Sequence, residues 1–188
     1  MSGETFELTP GGLTISDSRR LSEAGTKIAL DAGGRTAIEA ALSVVSQVIG
    51  DNRLVYGINT GVGSLSDSVI AGDQLGELQR RLVLSNAAGT GALLSDRVVR
   101  RIMLLKINTL GLGHSGVRMA LVDALIGLFN GGAQPCIPSK GSVGASGDLA
   151  PLAHLAAALI GAVGCAPLAT GQPYRGGFAG LGVRISTR

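Results

Sequence analysis

An all-α fold is what this sequence predicts, and three observations predict it. Apolar residues make up 45% of the 188, while aromatics supply 3% and Trp is absent. The apolar set is mostly Ala, Leu, Val and Ile, and a core of small aliphatics suits closely packed helices better than a sandwich built on aromatic anchors. Those aliphatics recur at three- and four-residue spacing in one segment after another, which places them on one face of a helix. Between the segments, glycine clusters into stretches with no apolar period. The length suits one domain with a sizeable core; residues 1–170 read as that unit and 171–188 as an irregular tail.

The elements follow in order. Phe6–Leu8 reads as a short strand. Gly34–Ile49 carries Ile38, Leu42, Val45 and Ile49 on one helical face. "YGINTGVGSLSDS", Tyr56–Ser68, is a loop. Asp73–Ala88 resumes the helical pattern through Leu75, Leu78, Leu82 and Val83. Ser95 and Asp96 start the next helix, with Val98, Val99, Ile102, Leu105 and Thr109 as its expected buried stripe. Ser115 is the expected cap of a helix over Val117–Phe129. "NGGAQPCIPSKGS" is a loop, since its prolines forbid regular helix. The last helix spans Leu149–Val163, with Pro151 tolerated in its first turn, where the missing N–H would lack a partner anyway.

Several function classes fall away. The net charge is +3, but the basic residues are scattered. The pairs Arg19–Arg20, Arg80–Arg81 and Arg100–Arg101 lack interleaved aromatics, and we read them as solvated helix faces or subunit contacts rather than a nucleic-acid surface. Cys136 and Cys165 form no CxxC, which fits a reduced, cytoplasmic setting. "MSGETFELTPGG" shows no basic-then-apolar leader, and no apolar run reaches the ~20 residues of a membrane span.

Three motifs fail on context. "GLGHSG", Gly111–Gly116, matches G-x-G-x-x-G, but a helix precedes it and no ribose-binding acid follows at the required distance. Ser146, Asp148 and His154 contain the letters of a hydrolase triad, yet Asp148 stands where a nucleophile elbow needs glycine. His154 lies inside an apolar helix and reads as a core or interface histidine. With His114 as its only companion, no His-based metal site is supported.

"KGSVGASGDLAPLAHLAAALIG", Lys140–Gly161, offers a different chemistry. Gly141, Gly144 and Gly147 recur every third residue, opening backbone angles closed to other residues. In a compressed turn the Gly147 nitrogen could attack the Ala145 carbonyl carbon. Loss of that oxygen and of the Ser146 hydroxyl as two waters would leave an imidazolone with an exocyclic methylene. Gly147 supplies an unhindered nitrogen, Ser146 a leaving group on its β-carbon, and small Ala145 an approachable carbonyl. Asp148 and the following helix N-terminus could orient the ring and bias its charge. On the residues alone, an ordinary Gly/Ser lead into a helix remains the other reading.

"GSVGASGDLAPLA", Gly141–Ala153, resembles the signature of the histidine and phenylalanine ammonia-lyase family, whose prosthetic group, 4-methylideneimidazol-5-one, forms from Ala-Ser-Gly. "YGINTG", Tyr56–Gly61, resembles that family's second active-site motif, and "LVLSNAAGTGALL" and "LLKINTLGLGHSGVR" follow in order and spacing. The resemblance spans residues 4–165 and favours the histidine-specific branch. It implies the N-terminal part of the ammonia-lyase helical fold, with two glycine-rich active-site loops and no metal. Catalysis would fall to Ala145, Ser146 and Gly147 as the electrophile and to Tyr56 as general base, a role that needs positive potential nearby. Asp148 and Gly144 would support the cofactor; Asn59 and Gly61 would shape the loop against the substrate. Asn86, in "SNAAG", stands where histidine-specific members show "SHAAG", and Val62 where "GFG" is usual. The implied reaction is non-oxidative deamination of an aromatic L-amino acid, histidine to urocanate ahead of phenylalanine or tyrosine. The family continues for hundreds of residues into a bundle that supplies further site groups, and assembles as a homotetramer. A chain ending at Arg188 is therefore expected to be inactive alone, or to be a non-catalytic helical partner of a full-length lyase.

Overall fold

The computed structural model describes residues 5–63, 66, 68–162 and 165–167; the tail 171–188 and Val163, the expected last residue of the final helix, lie outside them. Strand β1 (Thr5–Leu8) pairs in parallel with β2 (Lys27–Leu30), in register from Thr5↔Lys27 to Leu8↔Leu30. The crossover is helix α1 (Ile15–Leu21). Sequence periodicity misses it because seven residues are too few to show a repeat. Its signal is a capping box: the Thr14 hydroxyl accepts the Asp17 amide, and the Asp17 carboxylate accepts from the Thr14 backbone. The edge of β2 is completed by Asn130, whose side chain accepts from the Ile28 amide and donates to its carbonyl, both at 2.8 Å.

Helix α2 (Ala32–Gly50) starts at Asp31, whose carboxylate accepts the Gly34 amide at 2.7 Å. After a short 3-10 turn come α3 (Leu75–Asn86), strand β3 (Thr90–Leu93) and α4 (Asp96–Gly111). Ser95 is the N-cap residue of α4, although its side chain makes no capping bond. The buried face of α4 matches the predicted stripe only at Val99, with Ile102 partly buried against the core. Val99, Met103, Leu104, Ile107 and Leu110 enter the core, whereas Val98 and Leu105 are 40% and 46% exposed and Thr109 faces out. Both faces are apolar at helical spacing, so the local pattern could not choose between them.

Helix α5 (Met119–Gly131) begins two residues later than predicted, with Arg118 rather than Ser115 at the N-cap, and closes on Gly132 in the left-handed region. The stretch predicted as a loop holds two strands, β4 (Ala133–Pro135) and β5 (Pro138–Lys140). β4 pairs antiparallel with β6 (Cys165–Pro167), and β5 with β3. Three-residue strands leave no alternation to read, and their prolines sit at strand ends, where a missing donor is tolerated. Helix α6 (Leu149–Leu159) carries Pro151 in its first turn but stops short of the predicted Val163: Ile160 is its C-cap residue and Gly161 turns the chain away with φ of +72°. The fold is mostly helical, with three two-stranded sheets tying helix ends together among the described residues.

Arg100 also departs from expectation. It is 1% exposed, not solvated, and donates to the Phe129 carbonyl at 2.9 Å and to the Thr26 carbonyl and hydroxyl at 3.0 Å. Its guanidinium lies 3.9 Å from the Phe129 ring centroid. Desolvation lowers its pKa.

Candidate active site

The Tyr56 loop is held from within. The Asn59 side chain accepts from the Val55 amide at 2.9 Å and donates to the Arg53 carbonyl at 2.8 Å, and the residue is 7% exposed. The Thr60 hydroxyl accepts from Gly57 N–H and donates to the Gly61 carbonyl. Gly61 N–H donates to the Ser68 carbonyl and Ile70 N–H to the Asn59 carbonyl, so the loop returns on itself through a Thr60↔Val69 bridge. This bracing leaves Tyr56 at the tip, 64% exposed. Both polar atoms of the Asn59 amide thus bond loop backbone.

The Ala145–Gly147 segment forms the turn between β5 and α6. Gly144 and Gly147 have φ of +77° and +71°, and a Cβ at either would meet nothing within 4 Å. Ala145 and Ser146 are exposed. Glycine's freedom is therefore used here for backbone angle, with open space around the turn where a five-membered ring could be accommodated. Asp148 is the N-cap residue of α6 but makes no side-chain capping bond. Beside it lies a cleft of about 450 Å³, with Gly147, Asp148, Pro151 and Leu152 on one wall. The other wall is the outward α4 face, Ile102, Leu105, Lys106 and Thr109.

Asn86 ends α3, and its side-chain N–H donates to the Leu82 carbonyl at 2.9 Å. That leaves its amide oxygen as an acceptor. Helix α3 packs on α6, and β3 pairs with β5 through Thr90↔Lys140. The Asn86–Gly89 segment and the lead into Ala145–Gly147 are thus brought together. No hydrogen bond among the described residues joins Tyr56 to either. Of the core and interface roles read for His154 from the sequence, the structure shows burial at 8% exposed; nothing in the sequence pointed to its partner, the Gly89 amide, which donates to His154 Nε2 at 3.0 Å. Burial lowers the His154 pKa, consistent with a neutral ring carrying its proton on Nδ1. Among the described residues, no three His, Cys, Asp or Glu side chains gather as a metal site, and no helix is long and apolar enough to cross a membrane.

Comparison with known proteins gives concordant results. The sequence model of the aromatic amino acid lyase family matches residues 13–171. Histidine ammonia-lyase of Psychromonas ingrahamii is 51% identical over 156 residues, covering 83% of this chain and 31% of the relative. The crystal structure of histidine ammonia-lyase from Trypanosoma cruzi superposes with a TM-score of 0.86 at 34% identity, over 96% of this chain and 35% of that one. Pantoea agglomerans phenylalanine aminomutase gives 0.87 at 27% identity, over 95% and 34%. The chain spans about a third of the length of the curated relatives it matches.

Proposed function

The chain belongs to the aromatic amino acid lyase family, and on that premise we propose that it carries the electrophile-forming portion of an ammonia-lyase acting on L-histidine, ahead of phenylalanine or tyrosine. The observation that supports this best is Ala145-Ser146-Gly147 in an open turn with positive-φ Gly144 and Gly147, directly before α6. Residues 1–170 would form the cofactor-bearing domain of a cytoplasmic homotetramer, with no metal.

Ring closure balances on this chain's own atoms. Gly147 N bonds to the Ala145 carbonyl carbon, whose oxygen leaves as water with the Gly147 and Ser146 amide protons. The Ser146 hydroxyl leaves as a second water with the Ser146 Cα proton. The finished methylidene-imidazolone supplies an electrophile for the substrate amine, a function no ordinary side chain offers. The N-terminus of α6, next to the turn, stabilises negative charge developing there. Tyr56 removes the substrate β-proton, held at the tip of its loop by Asn59, with Gly61 in the loop's return. The Asn86 amide oxygen accepts from a ring N–H or phenol of the substrate. Asp148 and Lys106 line the adjoining cleft with opposite charges.

The histidine ammonia-lyase relatives support histidine as substrate. Intact mass spectrometry tests this reading: the chain should weigh two waters less than its sequence, and Ser146→Ala should abolish that deficit. A wild-type chain of full mass refutes it. Ammonia release from histidine, phenylalanine and tyrosine then separates ring formation from turnover.

A further inference from the structure

Two glycines meet where β3 pairs with β5 and α6 begins. A Cβ on Gly141 would stand 3.0 Å from Ala150 Cβ and 3.1 Å from Gly89 Cα. A Cβ on Gly89 would stand 3.0 Å from His154 Nε2 and 3.3 Å from the Lys140 carbonyl oxygen. Backbone therefore touches backbone here, which only glycine permits. Helix α6 is stitched to this junction by the hydrogen bond from Gly89 N–H to His154 Nε2, at 3.0 Å.

The chain leaves this junction at Lys140, makes the Ala145–Gly147 turn, and returns to it through α6. Its departing end is tied to Thr90 by the β3–β5 pairing. Its returning end is tied to Gly89 by His154. The two anchors are consecutive residues, so the separation of the loop's ends is set by one short piece of β3 and its lead-in. Attack of Gly147 N on the Ala145 carbonyl needs those atoms held close, and a loop with fixed ends forfeits less conformational freedom in reaching that geometry.

We propose that His154 is a positioning residue for ring closure at Ala145–Gly147, acting through the Gly89 amide to hold both ends of the loop on one anchor. This rests on the function proposed above, because it requires that the ring form. The imidazole touches no reacting atom; Nε2 need only accept a hydrogen bond. Glutamine can present an acceptor oxygen at similar reach, asparagine is too short, and phenylalanine fills the space without accepting.

The test follows ring formation over time in the wild-type chain and in His154→Gln, His154→Asn and His154→Phe. The readout is the two-water mass deficit in the tryptic peptide Gly141–Arg175, with Gly89 amide hydrogen exchange measured alongside. Wild type and H154Q should mature alike and protect Gly89. H154N and H154F should mature roughly tenfold more slowly and exchange Gly89 roughly tenfold faster, the scale of one net hydrogen bond. If H154F loses its cooperative melt, the contrast between Gln and Asn decides. Maturation of H154N at the wild-type rate overturns the proposal, as does failure of a folded H154Q to mature. A wild-type chain of full mass instead refutes the ammonia-lyase reading, and the maturation role with it.

Discussion

Gly113→Ala is the substitution whose cost the structure defines most closely. Gly113 lies in the loop between α4 and α5 with φ of +72°, a conformation that costs a residue bearing Cβ roughly 1–2 kcal/mol. Its added Cβ would stand 2.5 Å from the Ala37 carbonyl oxygen and 2.7 Å from the Ala37 carbonyl carbon. Both are backbone atoms inside α2, so no side chain can swing aside; the loop or the helix must move, at a further ~1–3 kcal/mol for overpacking. The total, about 2–5 kcal/mol, is a large share of the 5–15 kcal/mol typical of a folded domain. Gly25→Ala provides the reference, since Gly25 has φ of +82° and a Cβ there meets nothing within 4 Å. Urea denaturation of the two variants should place G113A below G25A by the steric part alone, about 1–3 kcal/mol. Equal stability would refute the close packing of this loop on α2. It would also remove the packing explanation for the glycine at this point of "GLGHSG".

Asn59→Ala strips partners from the Val55 amide and the Arg53 carbonyl, a local cost of about 1–3 kcal/mol; hydrogen exchange should accelerate across residues 53–61, and an unchanged pattern would refute the bracing role. Arg100→Met leaves the Phe129 and Thr26 carbonyls without their donor, and urea melts should show a loss of roughly 1–3 kcal/mol, net of the relieved charge burial. His154 makes stability depend on pH. Its folded pKa lies below the ordinary value near 6.5, so between the two the unfolded chain binds the extra proton. Stability should therefore fall as pH drops below about 6.5, by at most ~1.4 kcal/mol per pH unit from this group. H154Q should lose that part of the slope in denaturation midpoints measured from pH 7.5 to about 5; an unaltered slope would refute the assignment.

Local pattern carried far where the signal was itself local. The periods of Ile38 and Val45, of Leu78 and Leu82, and of Val99 and Ile102 belong to helices because successive side chains share a face. Gly144 and Gly147 announced an unusual turn because glycine reaches angles other residues avoid. The run through Ala145-Ser146-Gly147 and the Tyr56 loop sufficed to point to the family. The Asn59 bracing was half legible: the residue type suits a turn, but its two backbone partners could not be read.

What the sequence by itself determined is where the longer helices form and which residue types could build an electrophile, since both depend on neighbours along the chain. Tertiary structure alone decided that α4 buries Met103 and Ile107 while Leu105 faces a cleft, that Arg100 caps carbonyls inside the core, and that Gly89 meets His154. Those outcomes depend on contacts across 29 residues for Arg100–Phe129 and 65 for Gly89–His154. Such contacts leave no period in the sequence: a donor and an acceptor become partners only when packing removes the water that would otherwise satisfy both.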